Sequence, residues 1–150
     1  MKNRRVEYYS ASVMIGWAVI LALPGNSITE NDAFSSFIRN GWTERELAIS
    51  LGTVGWLWLG ALWVNGHHRR SPVVRCIGSI LGVALWSHIT FLLITHSIAA
   101  GAWSTGIAAY GLLAVFDLFS CYRSAADAYQ AHVLGLQLDQ ISGRNNGSHA

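Results

Sequence analysis

Four stretches of apolar residues, separated by short polar or glycine-rich segments, dominate the sequence. The pattern predicts helices at about 8–23, 44–64, 73–96 and 103–122, the last extended to about 138. Each stretch is close to the length of about 20 residues that a helix needs to cross the hydrocarbon core of a membrane. Thr43 and Glu46 have the spacing of a capping box, which marks the start of the second helix. The sequence therefore predicts an all-α integral membrane protein with four transmembrane helices.

Residues 1–140 are predicted to form a single four-helix transmembrane domain. Residues 141–150 are rich in Ser, Gly and Asn and have no apolar periodicity, so we predict a disordered tail.

The connection from 24 to 46 is the only long polar one between predicted helices. Asp32 is positioned to cap a short helix, and Phe34, Phe37 and Ile38 would share one face of it. We favour an anchor that lies in the headgroup region with its aromatic face toward lipid. The alternative is a lid across the bundle.

The placement of basic residues predicts the orientation in the membrane. Of ten Lys and Arg, only Arg39 and Arg45 lie in the two outer connections. The others lie at the amino terminus, after the fourth span, and in a central turn that contains Arg69, Arg70 and Arg75. Because positive charges are retained on the cytoplasmic side, both termini and the central turn are predicted to be cytoplasmic. The result is an up-and-down bundle with a cytoplasmic helical extension at its carboxyl end.

Composition agrees with a membrane protein. Charged residues make up 12% of the chain, about half the usual share of roughly 25%. The formal charge of +2 is too small to indicate nucleic-acid binding, so the expected surroundings are the lipid bilayer. Cys76 and Cys121 are expected to be free thiols near the cytoplasmic helix ends.

Asp117 is an acid well inside a predicted span, where a carboxylate costs up to about 3 kcal/mol. We predict that it forms a structural clamp with Arg75, Arg69 or Arg70, which lie at the same level of the membrane. Arg123 is a poorer partner because it falls on nearly the opposite side of the helix. The alternative is an ion or proton pathway, which would need a second acid inside the membrane, and the predicted spans do not supply one.

Gly78 and Gly82 form a GxxxG pattern that lets another helix approach closely. We favour packing within one chain over a homo-oligomer interface. His88, on the same helix, is expected to form a hydrogen bond across the bundle. His88 and His96 are about 12 Å apart along the helix, too far to share a metal ion. Since catalytic, phosphate-binding and metal-binding motifs are also missing from the sequence, we expect no enzyme activity, no cofactor and no metal.

Two series of residues carry a resemblance to a known class of proteins. The first is Leu62-x-x-Asn65-Gly66-x-x-Arg69-Arg70-Ser71-Pro72-x-x-Arg75, followed by Gly78, Gly82 and Trp86. The second is Thr105-Gly106, Tyr110, Asp117-Leu118, Ser120, Tyr122-Arg123 and Asp127. Together they resemble small multi-helix membrane proteins of unassigned function that tailed bacteriophages and prophages encode. The resemblance implies a phage origin and insertion into the bacterial inner membrane, and it implies no activity.

These observations favour a phage-encoded protein of the host inner membrane that acts through helix–helix contacts or through a membrane-protein partner. Blocking a second infection and modifying the host envelope are roles of this class. One alternative is a holin-like pore-forming lysis protein, which would need a polar helix face. Another is a membrane component of the virion or of its assembly.

Overall fold

The computed structural model describes residues 5–25, 28, 32–67 and 72–146. Over these ranges the chain is helical, with no strand, and the predicted all-α fold is confirmed for them. The helices are α1 (Arg5–Ala22), α2 (Ser35–Arg39), α3 (Glu44–His67), α4 (Pro72–Ala100) and α5 (Thr105–Asn146). A short 3₁₀ turn, Asp32–Phe34, leads into α2.

Two helices are longer than the apolar pattern predicted. Helix α1 begins at Arg5 rather than at 8, and α5 continues to Asn146. The tail that was predicted to be disordered from 141 is therefore helical up to Asn146. The predicted helix ends were placed where the apolar residues end. Polar residues can also be helical, and a helix is interrupted where a proline removes a backbone hydrogen bond. The last proline of the chain is Pro72, so no proline interrupts α5.

A glycine and a serine close the turn between α4 and α5. Helix α4 continues past its predicted end near 96 and ends at Ala100. Gly101 follows with a φ of +68°, the left-handed conformation that commonly terminates a helix. Ser104 then caps α5, and its hydroxyl accepts a hydrogen bond from an amide in the first turn at 3.2 Å. The turn lies between the predicted third and fourth helices, and its residues 101–104 carry no charge.

The four long helices form a bundle in which neighbours run antiparallel. The most extensive contacts are between α4 and α5 and between α1 and α3, and smaller contacts join α3 to α4 and α1 to α5. Gly55 of α3 packs against Met14 of α1, while Gly106 of α5 packs against Leu93 of α4. The bundle is thus two helical hairpins side by side, with the up-and-down order that the sequence predicted.

Aromatic rings fill one end of the bundle, where α3 and α5 begin. Trp86 and Tyr110 are stacked, with ring centroids 5.6 Å apart and planes 6° apart. Trp17 meets Tyr110 edge-on at 5.0 Å, and Phe34 meets Trp17 at 5.9 Å. We call these four residues, together with the buried Phe37, the aromatic layer.

The short helix α2 belongs to this aromatic end, which corrects the predicted anchor in the headgroups. Phe37 is fully buried, and the hydroxyl of Ser35 is 2.9 Å from Nδ1 of His96 on α4. Asp32 does not cap α2, because Phe34 occupies the N-cap position without a side-chain hydrogen bond. Since two of the three residues on its apolar face pack inward, the segment lies across the bundle as a lid.

The start of α3 follows the predicted capping box. The amide of Thr43 donates to Oε2 of Glu46 at 3.0 Å, and the amide of Glu46 donates to Oγ1 of Thr43 at 3.2 Å. The capping box is therefore confirmed.

Three helices in the described parts of the chain are long and apolar enough to cross a membrane. Their candidate spans are Glu44–Trp63, Val73–Ala100 and Thr105–Gln130. They agree with three of the four predicted spans. Helix α1 is not among them; it has 18 residues and carries Arg5 and Glu7 in its first turn.

Candidate functional site

The end of the bundle opposite the aromatic layer contains buried polar side chains. Helices α1 and α4 begin there and α3 ends there, and we call it the basic end after Arg75. The buried polar residues lie where α1, α4 and α5 meet. We call them the polar cluster: Glu7, Ser10, Arg75, Ser79, Asp117, Ser120 and Ser124.

Glu7 and Arg75 form the ion pair at the centre of the polar cluster. Nη2 of Arg75 donates to Oε1 of Glu7 at 2.5 Å, and Nε donates to Oε2 at 3.0 Å. Ser120 donates to the same Oε1 at 2.5 Å. Glu7 is only 1% exposed and Arg75 is 14% exposed, and Arg75 also reaches Asp127 at 3.5 Å. A buried carboxylate is tolerated when it is paired and hydrogen-bonded in this way.

Asp117 has a different environment, although it lies one helical turn from Ser120. It is 0% exposed, and Ser10 donates to its Oδ2 at 2.7 Å. Nε1 of Trp86 donates in turn to the hydroxyl of Ser10 at 2.9 Å. The other oxygen, Oδ1, has no hydrogen-bond partner in the described part of the chain. Asp117 is therefore a buried carboxyl group held by a single hydroxyl.

The predicted clamp between Asp117 and Arg75 is wrong, because Arg75 pairs with Glu7. Helix α1 begins early enough to bring Glu7 beside Arg75, and Asp117 lies deeper in the bundle. Arg69 and Arg70, the other predicted partners, lie outside the described residues. Arg123 is exposed.

Helices α1 and α5, which are antiparallel, each contribute an acidic residue and a serine to the polar cluster. Each helix has an acid followed three residues later by a serine: Glu7 and Ser10 on α1, Asp117 and Ser120 on α5. Because the helices are antiparallel, each acid meets the serine of the other helix. Residues three apart lie on one helix face, so this repeat aligns the two carboxyl groups on successive turns.

Sequence reasoning missed Glu7 because the first helix was predicted to begin at 8. A signal was present, since Glu7, Ser10, Ala11 and Met14 have the i, i+3, i+4, i+7 spacing of one helix face. All four are buried. The spacing shows that the inward-facing stripe of α1 includes Glu7, so a second acid does lie inside the bundle.

The glycines of the GxxxG pattern pack within this chain. A Cβ on Gly78 would lie 2.6 Å from Nε1 of Trp58 on α3, and one on Gly82 would lie 2.9 Å from Cζ3 of the same ring. A Cβ on Gly82 would also collide with the carboxyl group of Asp117. Trp58 is 2% exposed, whereas Trp56, two residues away, is 64% exposed. The glycines therefore make room for one indole ring and for Asp117.

His88 lies nearer to the aromatic end. Nε1 of Trp42 donates to Nε2 of His88 at 3.1 Å, which is a hydrogen bond across the bundle of the kind that the sequence predicted. Within the described ranges, no group of three or more His, Cys, Asp or Glu side chains could hold a metal ion.

A cavity of about 130 Å³ borders the polar cluster at the basic end. Its lining consists of Val6, Glu7, Arg75, Phe116, Phe119, Ser120 and Arg123. Nearby, the thiols of Cys76 and Cys121 are 3.4 Å apart and both are free.

Comparison of the chain with protein-family models, with curated proteins and with solved structures finds no match. Carboxyl and hydroxyl groups in a low-dielectric interior are suited to holding and exchanging protons, and a carboxylate–guanidinium pair is suited to fixing helices in register.

Proposed function

We propose that this chain is a four-span protein of the bacterial inner membrane, encoded by a phage or prophage, that acts by binding a membrane-associated partner. The observation that supports binding most directly is the length of α5. The helix has 42 residues, or about 63 Å at about 1.5 Å per residue, while a hydrocarbon core is about 30 Å thick.

Apolar side chains are exposed where the apolar span of α5 ends. The candidate span of α5 ends at Gln130. Tyr129 and Leu134 are exposed there, and together with Gln130 and Val133 they line a shallow, open depression on the helix. Exposed apolar positions on a helix that continues past the membrane favour a docking surface for a partner.

Lipid contact is supported by the outer surfaces of the bundle. Each long helix exposes large apolar side chains along its length, among them Val19, Ile20, Leu57, Phe91, Ile98, Leu118 and Phe119. Apolar surface on all sides is unfavourable in water, and it is expected for helices in lipid.

Packing supports α1 as the fourth span. Gly55 of α3 lies against Ala11, Met14 and Ile15, and Gly52 lies against Ala18. Because α1 runs beside α3 over this length, it lies at the same depth in the bundle as a helix that can cross the membrane. Its acid, Glu7, is neutralised by Arg75. With four spans, the positive-inside rule places both termini and the basic end in the cytoplasm.

The phage assignment rests on the resemblance of the central turn and of α5 to small phage membrane proteins. The role that we propose is exclusion of a second infection or modification of the host envelope. The polar cluster lies inside the bundle and not on an outer helix face, which favours this function over a pore.

The test is regulated expression in bacteria, with cell potential followed by a dye and resistance measured by phage challenge. The full chain is expected to leave the potential intact and to give resistance. A truncation after Gln130 is expected to remove resistance while the protein still inserts, and a truncation after Asn146 serves as the matched control. Prompt depolarisation would instead support a holin-like pore, and copurification with phage particles would support a virion component.

The topology is tested separately with reporter fusions. Fusions at the central turn and at both termini are expected to report the cytoplasm, and a fusion near Gly101 is expected to report the outer side. An exported central turn would contradict the proposed orientation.

A further inference from the structure

We propose that Asp117 is a proton-binding site inside the bundle, and that it exchanges protons only through the basic end. The proposal does not depend on which partner the chain binds.

The balance of charge around Asp117 disfavours its ionised form. Glu7 and Asp117 are both buried carboxyl groups, and Arg75, which is 14% exposed, is the cation beside Glu7. Arg75 directs Nε and Nη2 at Glu7 and Nη1 at Asp127. No donor of Arg75 is shown on Asp117, so an ionised Asp117 would be a buried charge held by one neutral hydroxyl, which is strongly unfavourable. A bound proton removes that charge.

The hydrogen bonds also indicate where the proton would be. Ser10 accepts a hydrogen bond from Nε1 of Trp86, and its own proton goes to Oδ2 of Asp117. Oδ2 is therefore an acceptor. Oδ1 is buried and has no partner in the part of the chain that the structure describes. It is the oxygen that is left to carry a proton.

The other ionisable groups on the surrounding helices are few. At the basic end, α1 contributes Arg5, Glu7, Tyr8 and Tyr9, and α4 contributes Arg75 and Cys76. Helix α5 contributes Cys121, Tyr122, Arg123 and Asp127. Trp58 of α3, which lies against Gly82 beside Asp117, does not titrate. Among the described residues of these helices at the basic end, the cations are Arg5, Arg75 and Arg123. Arg75 is bound to Glu7, and Arg5 and Arg123 are exposed.

A route for protons leads from Asp117 toward the basic end. Ser120, one turn along α5, bonds to Glu7, and both residues line the cavity of about 130 Å³, which has room for water. Ser79 and Ser124 place two more buried hydroxyls on this side of Asp117, and neither has a hydrogen-bond partner in the ranges described. A hydroxyl that is free to rotate can accept one proton and pass on another.

The opposite direction is closed. Trp86, which holds Ser10, is stacked on Tyr110, and Trp17 packs edge-on against both rings. These side chains offer apolar faces between Asp117 and the aromatic end.

A metal cation fits the site at Asp117 less well than a proton does. Such ions need several oxygen ligands, whereas the Trp58 ring and Gly82 occupy much of the space around Asp117.

Infrared spectroscopy of the purified full-length protein in lipid tests the site, since a protonated carboxyl group has its own carbonyl band. The wild type is expected to show this band at neutral pH. Asp117→Asn should lose it, and Glu7→Gln should keep it. Absence of the band in the wild type, or its loss in Glu7→Gln alone, would overturn the proposal.

Ser10→Ala keeps the test decisive should Asp117→Asn fail to fold. Removing the hydroxyl that bonds Oδ2 should shift the frequency of the band without abolishing it, and an unshifted band would assign the proton to another residue. Sodium or potassium chloride, added at constant pH, should leave the band unchanged. Its disappearance with either salt would identify Asp117 as a metal-cation site and overturn the proposal.

One-sided access is tested in vesicles that contain the protein in a single orientation. A pH change on the side of the basic end should alter the intensity of the Asp117 band, and the same change on the aromatic side should not. An equal response from both sides would overturn the proposed closure by the aromatic rings.

Discussion

Removing Arg75 should destabilise the protein much more than removing its partner, Glu7. In Arg75→Gln, the 1%-exposed carboxyl group of Glu7 loses its cation and keeps only the hydrogen bond from Ser120 among the contacts that the structure shows. Leaving a buried charge without its partner costs about 3–5 kcal/mol. We therefore expect Arg75→Gln to lower the free energy of unfolding by about 3–5 kcal/mol.

Glu7→Gln should have a smaller effect. Gln can still accept hydrogen bonds from Ser120 and Arg75 through its amide oxygen. The guanidinium is 14% exposed and retains Asp127 at 3.5 Å, so its charge is not left fully buried. Loss of charge-assisted hydrogen bonds costs about 1.5–3 kcal/mol, which is the decrease that we expect. The double variant should lose less than the sum of the single variants, because the two side chains interact directly.

The measurement is reversible unfolding in mixed micelles, with denaturing detergent as the variable. Seven tryptophans allow unfolding to be followed by fluorescence, and circular dichroism provides a second probe. Arg123→Gln is the matched control, since it removes the same charge from an exposed position and should change stability by less than about 0.5 kcal/mol. Equal losses in Arg75→Gln and Glu7→Gln, or additive losses in the double variant, would refute the buried ion pair.

Two further predictions use other contacts in the bundle. Gly82→Ala should lower the free energy of unfolding by about 1–3 kcal/mol, because its Cβ would lie 2.9 Å from the Trp58 ring. Gly60→Ala is the control and should be tolerated, because a Cβ there meets open space. Equal stabilities of the two variants would contradict this packing. Mild oxidation of the purified protein should join Cys76 to Cys121, whose sulfur atoms are 3.4 Å apart, within one chain. Mass spectrometry would detect the linked peptides, Cys76→Ser should prevent the link, and exclusively intermolecular products would contradict the contact.

The sequence by itself determined the helical class and most of the helix positions. Apolar runs of membrane-spanning length identify α3, α4 and α5, because such runs have few structural alternatives. The capping box at Thr43 and the glycine before the turn at Ser104 are local signals, and they act as local rules predict. The resemblance to phage membrane proteins came from residues alone, and it stays a hypothesis.

Tertiary structure decided which polar groups meet. Asp117 was recognised in the sequence as a buried acid, but its distance to any arginine depends on how α1, α4 and α5 pack. Glu7 lies before the apolar part of α1, so hydropathy gave no reason to place it inside the bundle. Packing of α1 against α3 and α5 buries it and brings it to Arg75.

The aromatic segment around α2 also had features that the sequence determined and features that only the tertiary structure decided. Its apolar face was visible in the sequence, but lipid and protein are equally apolar surroundings for Phe34 and Phe37. Only the position of Trp17 and of the neighbouring helices directs these rings inward. Hydrophobic patterning therefore defines what this chain buries or places in lipid, while the pairing of charges and rings follows from which helix faces come together in three dimensions.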